Sequence, residues 1–123
     1  MVYNEMFNEF KKYVGINDNE LSNYISENNI DNSDGMHIWF EFVITPYLIN
    51  IIKNNNVNKI IKSFEFVEQC LKIKNTDITE VIEFSLLEGV VAEIGLKINE
   101  LYIYFGEETI KSIDCIKKYI QIN

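Results

Sequence analysis

The chain has 123 residues, a length that fits one domain able to bury its own core. Hydrophobic residues make up 47% and charged residues 24%, which argues against a globally disordered protein. The formal charge is −8 and all 11 basic residues are Lys, whereas a nucleic-acid binder needs a basic footprint and favours Arg, so nucleic acid is not an expected partner.

The N-terminal part of the chain predicts two amphipathic helices. Apolar residues recur at helical spacing over residues 3–14, and Gly15 follows as a C-terminal cap. Glu20 completes a capping box with either Asn17 or Asp18 as the N-cap of the second helix. A polar stretch then predicts a loop.

The period of the apolar and aromatic run at residues 36–44 is ambiguous, because it fits a buried helix or a strand. We predict a short buried helix that ends at Ile44. Thr45 and Pro46 resemble an N-cap followed by proline at the first helical position. The helix should therefore kink or restart there and continue to about Lys53.

The rest of the chain has clearer helical periodicity. Apolar residues three and four apart run over residues 57–71, and a second stripe covers residues 78–94. Asp77 and Glu80 supply an N-terminal capping signal for that second stripe. A short helix or extended turn at residues 99–105 precedes the last helix.

These patterns predict an all-α fold of six to seven short antiparallel helices in a single domain, residues 1–123. A helical bundle and a HEAT-like stack of helical hairpins both fit. No apolar run is long enough to span a membrane, and the N-terminus does not have the pattern of a signal peptide. We therefore expect a cytoplasmic protein, with Cys70 and Cys115 as reduced thiols.

No residue constellation for catalysis is visible. His37 is the only histidine, and no nucleotide-binding, metalloprotease or paired-cysteine motif occurs. A zinc site would need several Cys or His at short spacing. The expectation is that the protein is not an enzyme, holds no metal or cofactor, and acts by binding another protein.

Negative charge is concentrated between Phe64 and Glu108. This segment has ten acidic residues against three lysines, a net of −7 out of the total of −8. Such a surface would attract and select a basic protein partner. The candidate contact residues are carboxylates of this segment and two aromatic anchors: Glu65, Glu68, Asp77, Glu80, Glu83, Glu88, Glu107, Glu108, Trp39 and Tyr104.

Glu88 differs from the other carboxylates because Leu86, Leu87 and Val90 surround it in the sequence. A carboxylate among buried neighbours must be paired or hydrogen-bonded. Two explanations remain open. Glu88 has a partner on an adjacent helix, or it is a contact point in a groove.

Four segments together carry a resemblance to a class of bacterial proteins. They are HIWFEF at 37–42, FEFVE at 64–68, LLEG at 86–89 and YFGEET at 104–109. Through them residues 34–120 resemble small acidic all-helical immunity proteins of toxin–immunity systems, contact-dependent or secreted. The resemblance implies a protein that neutralises a cognate toxin, expected to be a basic domain, by occluding it.

A function of another class stays open beside this one. The chain would then be a small helical enzyme or ligand-binding domain that uses the carboxylate and aromatic residues around His37–Glu41. A deep pocket with converging polar groups would favour this alternative. A neighbouring toxin gene would favour the immunity protein.

Overall fold

The computed structural model describes residues 1–120, and the last three residues of the predicted domain, 121–123, lie outside them. The described residues form six helices and no strand, so the all-α prediction is confirmed. The helices are α1 (Met6–Val14), α2 (Asp18–Glu27), α3 (residues 36–53), α4 (Val57–Lys72), α5 (residues 76–94) and α6 (Glu107–Tyr119). Turns of 3₁₀-helix precede α1 at Tyr3–Glu5 and join α5 to α6 at Gly95–Tyr104.

The predicted ends of the first two helices are confirmed. Gly15 adopts a left-handed backbone with φ of 79° and donates its N–H to the carbonyl of Lys11. Asn17 is the N-cap of α2, and its backbone N–H donates to Oε2 of Glu20 at 2.8 Å. The Asn17 side chain accepts from the backbone of Glu20, so both halves of the capping box are present.

The predicted start of α5 is corrected. Asn75 is the N-cap, because its side-chain oxygen accepts from the backbone N–H of Ile78 at 3.1 Å. Asp77 lies within the first turn instead, where its negative charge interacts favourably with the positive end of the helix dipole.

A π-helical segment at Phe40–Ile44 interrupts the regular winding of α3. The N–H of Thr45 donates to the carbonyl of Phe40, five residues earlier. Pro46 has no N–H, and its ring would clash with a carbonyl of a regular helix four residues back, so the wider turn lets α3 continue through the proline. The predicted kink or restart at Pro46 agrees with this change of winding, because regular α-helix resumes at Thr45, has Pro46 in its first turn and ends at Lys53. The N-cap prediction for Thr45 is wrong, since Thr45 is itself helical, with φ of −59° and ψ of −51°. The strand alternative for this segment is also excluded.

The core joins helices that are distant in sequence. The rings of Phe10 and Phe66 pack edge to face with centroids 5.2 Å apart, and Phe10 also meets Phe40 at 6.2 Å. Phe64, fully buried, packs against Phe105 at 4.7 Å. Since α4 packs against α1, α3 and α6, the arrangement is a bundle in which α4 is central, not a linear stack of hairpins.

Helix α5 lies beside this centre. Its π-helical segment, Val81–Leu87, packs on the π-helical segment of α3. The buried side chains of α5 thus face α3 and α4, and its opposite face is left to solvent next to α6.

Candidate protein-binding surface

Helix α5 has an acidic solvent face. Residues 76–94 include five carboxylates and no lysine. Asp77 and Glu80 are exposed, and Glu83 and Glu88 are half-buried farther along the helix. We call these four residues the acidic face. Within residues 1–120, no hydrogen bond or ion pair engages the side chains of Asp77, Glu80 or Glu88, so their charge is uncompensated locally.

A groove of about 470 Å³ runs between α5 and α6 beside the acidic face. Phe84 of α5 and Tyr119 of α6 line it with 58% and 81% of their surfaces exposed. Large aromatic side chains exposed together at a concave site are typical of interaction surfaces. The remaining lining residues are Glu83, Glu88, Ser112, Cys115 and Ile116.

The two carboxylates of the groove have different surroundings. Glu83 accepts a hydrogen bond of 2.5 Å from the hydroxyl of Ser112, which links α5 to α6 and holds the Glu83 side chain in place. Glu88 has no such partner among the described residues, and no lysine lines the groove. Of the two explanations for Glu88, the position in a groove fits this geometry.

Glu68 is not part of an exposed acidic surface, which corrects its place among the predicted contact residues. It is 9% exposed, and its carboxylate accepts from the N–H and hydroxyl of Thr109, each at 2.8 Å, and from the N–H of Glu108 at 3.1 Å. Burial raises the pKa of Glu68, but these hydrogen bonds together outweigh burial and hold the pKa below its usual value. Glu68 is thus the N-terminal cap of α6.

Three other predicted carboxylates are paired with neighbouring side chains. Glu108 is bonded to Lys74 and Lys111, and these hydrogen bonds lower its pKa. Glu107 is exposed and lies 3.8 Å from the ammonium group of Lys111. Glu65 accepts from a tyrosine hydroxyl at 3.0 Å and has a lysine 3.8 Å away. The uncompensated charge of the predicted surface is therefore concentrated on α5.

The two predicted aromatic anchors lie elsewhere. Trp39 is half-buried against Phe7, with ring centroids 4.5 Å apart, and Tyr104 is half-buried beside α4. Neither lines the groove between α5 and α6. Sequence reasoning missed Phe84 and Tyr119, although Phe84 carried a signal as an apolar residue outside the helical stripe of α5.

His37, at the start of α3, contacts α5. Its Nδ1 lies 2.6 Å from the hydroxyl oxygen of Ser85, while the carbonyl of Ser85 accepts from the hydroxyl of Thr45 at 2.7 Å. Ser85 is only 5% exposed, so a substrate could not reach its hydroxyl as a nucleophile without movement of the helices. The geometry is that of a link between α3 and α5.

The described part of the chain contains neither a metal-binding cluster nor a helix suited to a membrane. No three His, Cys, Asp or Glu side chains of residues 1–120 converge as they would around a metal ion. None of the helices formed by these residues combines the length and apolar character that crossing a bilayer requires.

Comparison with known proteins identifies one family. The family model described as a domain of unknown function, DUF7674, matches residues 5–121. The match includes α1 and α2, which the resemblance to immunity proteins left out. No curated protein and no solved structure matches the chain.

Proposed function

This chain belongs to the DUF7674 family, and we propose that it is a non-catalytic binding protein that neutralises a basic protein toxin, as bacterial immunity proteins do. The acidic face of α5 would occlude the toxin. The observation that carries the proposal is the uncompensated charge of Asp77, Glu80 and Glu88. Two free cysteines, Cys70 and Cys115, support a role in the reducing cytoplasm.

Lysine pairing distinguishes the carboxylates that flank the acidic face from those on it. Lys53 pairs with Glu93 at the end of α5, and Lys111 pairs with the carboxylates that begin α6. On the acidic face no lysine is present to offset the carboxylates. Exposed carboxylates contribute little to folding stability, so this face is free to serve association with a basic partner.

The proposal predicts how charge reversal changes binding to the product of the gene beside that of this protein. Glu80→Lys should slow association by roughly threefold or more at low salt and flatten its salt dependence, because steering acts on the encounter rate. The measurement is stopped-flow association at low and high ionic strength.

Glu27→Lys on α2 is the matched control, because Glu27 is also exposed and the net charge changes equally. Compared at physiological salt, this variant should keep more of the wild-type rate than Glu80→Lys does, since screening there confines strong effects to about 8–10 Å. Equal rates for wild type and Glu80→Lys, or equal effects of both reversals, would contradict the role of the acidic face.

A further inference from the structure

The groove between α5 and α6 offers two kinds of contact side by side. Phe84 and Tyr119 present exposed rings, and Ile116 is buried at the groove with 8% of its surface accessible. An occupant that removes these apolar surfaces from water gains binding free energy from their burial. A volume of about 470 Å³ accommodates a few side chains of a partner, and it lies in the range of small binding sites.

Glu88 makes the groove selective for a positively charged side chain. A half-buried carboxylate without a partner is less well solvated than an exposed one, so a cation brought to it gains a charge-assisted hydrogen bond at a reduced desolvation cost. The ring of Phe84 on the same wall can add a cation–π contact to an ammonium or guanidinium group. Both features favour Lys or Arg.

We propose that this groove receives an amphipathic basic segment of a protein partner, with an apolar side chain against Phe84 and Tyr119 and a Lys or Arg bonded to Glu88. The inference rests on the proposed function for the basic character of the partner. Charge complementarity selects this occupant, because a second copy that paired through the same groove would bring its own Glu83 and Glu88 against these carboxylates.

Cys115 lies in the groove wall, so its reaction with an alkylating reagent reports occupancy of the groove without an introduced cysteine. It is exposed, whereas Cys70 is buried and burial raises the pKa of the Cys70 thiol to about 12, so an alkylating reagent reaches Cys115 selectively. The probe is a synthetic 14-residue amphipathic helix of Leu and Lys. At saturation it should slow alkylation of Cys115 by roughly tenfold, because the thiol lies inside the occupied site.

Two matched comparisons, one of protein variants and one of peptides, separate the contribution of charge to binding from that of apolar contact. Glu88→Gln keeps the shape of the side chain and should weaken peptide binding by roughly tenfold, while Glu27→Gln on α2 should leave it unchanged. A peptide with Glu in place of Lys, and one with Ser in place of Leu, should each fail to protect Cys115. Protection by the acidic peptide, wild-type affinity in Glu88→Gln, or no protection by the Leu–Lys peptide would overturn the inference.

The alkylation assay also tests whether a second copy of the chain occupies the groove. Binding of the adjacent gene product tests the proposed function. Protection of Cys115 that grows with protein concentration in the absence of peptide would show a dimer interface and overturn the proposal. Binding of the adjacent gene product that is unaffected by Glu88→Gln but weakened by Glu80→Lys would overturn the groove assignment and leave the proposed function standing. Loss of binding in both Glu88→Gln and Glu80→Lys, with unchanged folding by circular dichroism, supports the groove assignment and the proposed function.

Discussion

Glu68 packs so closely against Gly106 that position 106 has no space for a larger side chain while the Glu68 carboxylate stays in place. A Cβ atom on Gly106 would lie 2.3 Å from the carboxyl carbon of Glu68, so only glycine fits where the carboxylate reaches the first turn of α6. The N–H groups that a helix leaves unpaired at its start are satisfied here by a side chain from α4. One residue thus joins two helices.

This contact predicts a pH dependence of stability. The pKa of Glu68 is lower in the folded chain than its ordinary value, so the carboxylate contributes stability above about pH 4.3, the ordinary glutamate pKa, and loses it as the pH falls through the folded value. Glu68→Gln should lower the free energy of unfolding by about 1–3 kcal/mol at pH 7. Urea unfolding at pH 7 and near pH 3 would measure this difference.

The difference between wild type and Glu68→Gln should shrink at the lower pH, because Glu68 takes up a proton more readily in the unfolded chain than in the folded chain, which stabilises the unfolded state. Glu100→Gln serves as the control because Glu100 is exposed, and it should change stability by no more than about 0.5 kcal/mol. A constant difference at both pH values would show that the charge of Glu68 is not the stabilising feature.

Between elements, α3 and α5 approach each other closely at Thr45 and Gly89. A Cβ atom on Gly89 would lie 2.8 Å from Cγ2 of Thr45. The hydroxyl of Thr45 donates to the carbonyl of Ser85 in the neighbouring turn of α5. The small residue on α5 and the hydroxyl on α3 therefore set the distance between the two helices.

A double-mutant cycle tests this crossing. Gly89→Ala should destabilise the protein by about 1–3 kcal/mol through overpacking, although alanine is the better helix former. In a Thr45→Ser background Cγ2 is absent and the hydroxyl remains, so the penalty of Gly89→Ala should fall by about 1–2 kcal/mol. Chemical denaturation of the four proteins measures the coupling.

Gly35→Ala is the control for the glycine substitution. Gly35 has ordinary extended backbone at φ of −80°, and its added Cβ would meet nothing within 4 Å. Gly35→Ala should cost no more than about 1 kcal/mol, because alanine is a poorer N-cap than glycine, and this cost should be the same in the Thr45→Ser background. Additive effects of Gly89→Ala and Thr45→Ser would refute the proposed contact.

For the molecule as a whole, stability should come from the shared core and not from a bound ion. The described residues bring no three metal-binding side chains together, and the rings of Phe10, Phe40 and Phe66 connect α1, α3 and α4 directly. EDTA should therefore leave the melting temperature unchanged, since no metal contributes folding free energy. A thermal melt with EDTA, against a melt in the same buffer at equal ionic strength, checks this. A shift of several degrees would contradict it.

The helices were predictable where apolar spacing was regular, as over residues 57–71, because burial of one face requires that spacing. The cap at Asn17 was predictable because it is made within four residues of chain. Thr45 was wrongly predicted as an N-cap because the π-helical turn before it, which packs against α5, lets the helix reach Pro46 without a break. The cap of α6 by Glu68 was also missed, because the two residues are brought together by the fold.

The sequence by itself determined the helical class, the acidic balance and the crowding of charge between residues 64 and 108. These follow from composition and local spacing. Only the tertiary structure decided which carboxylates remain uncompensated, because Glu68 and Glu108 meet their partners across distances of 34 to 41 residues. It also placed Phe84 and Tyr119 at one groove, since contacts between separate helices depend on how the bundle packs and not on any local pattern.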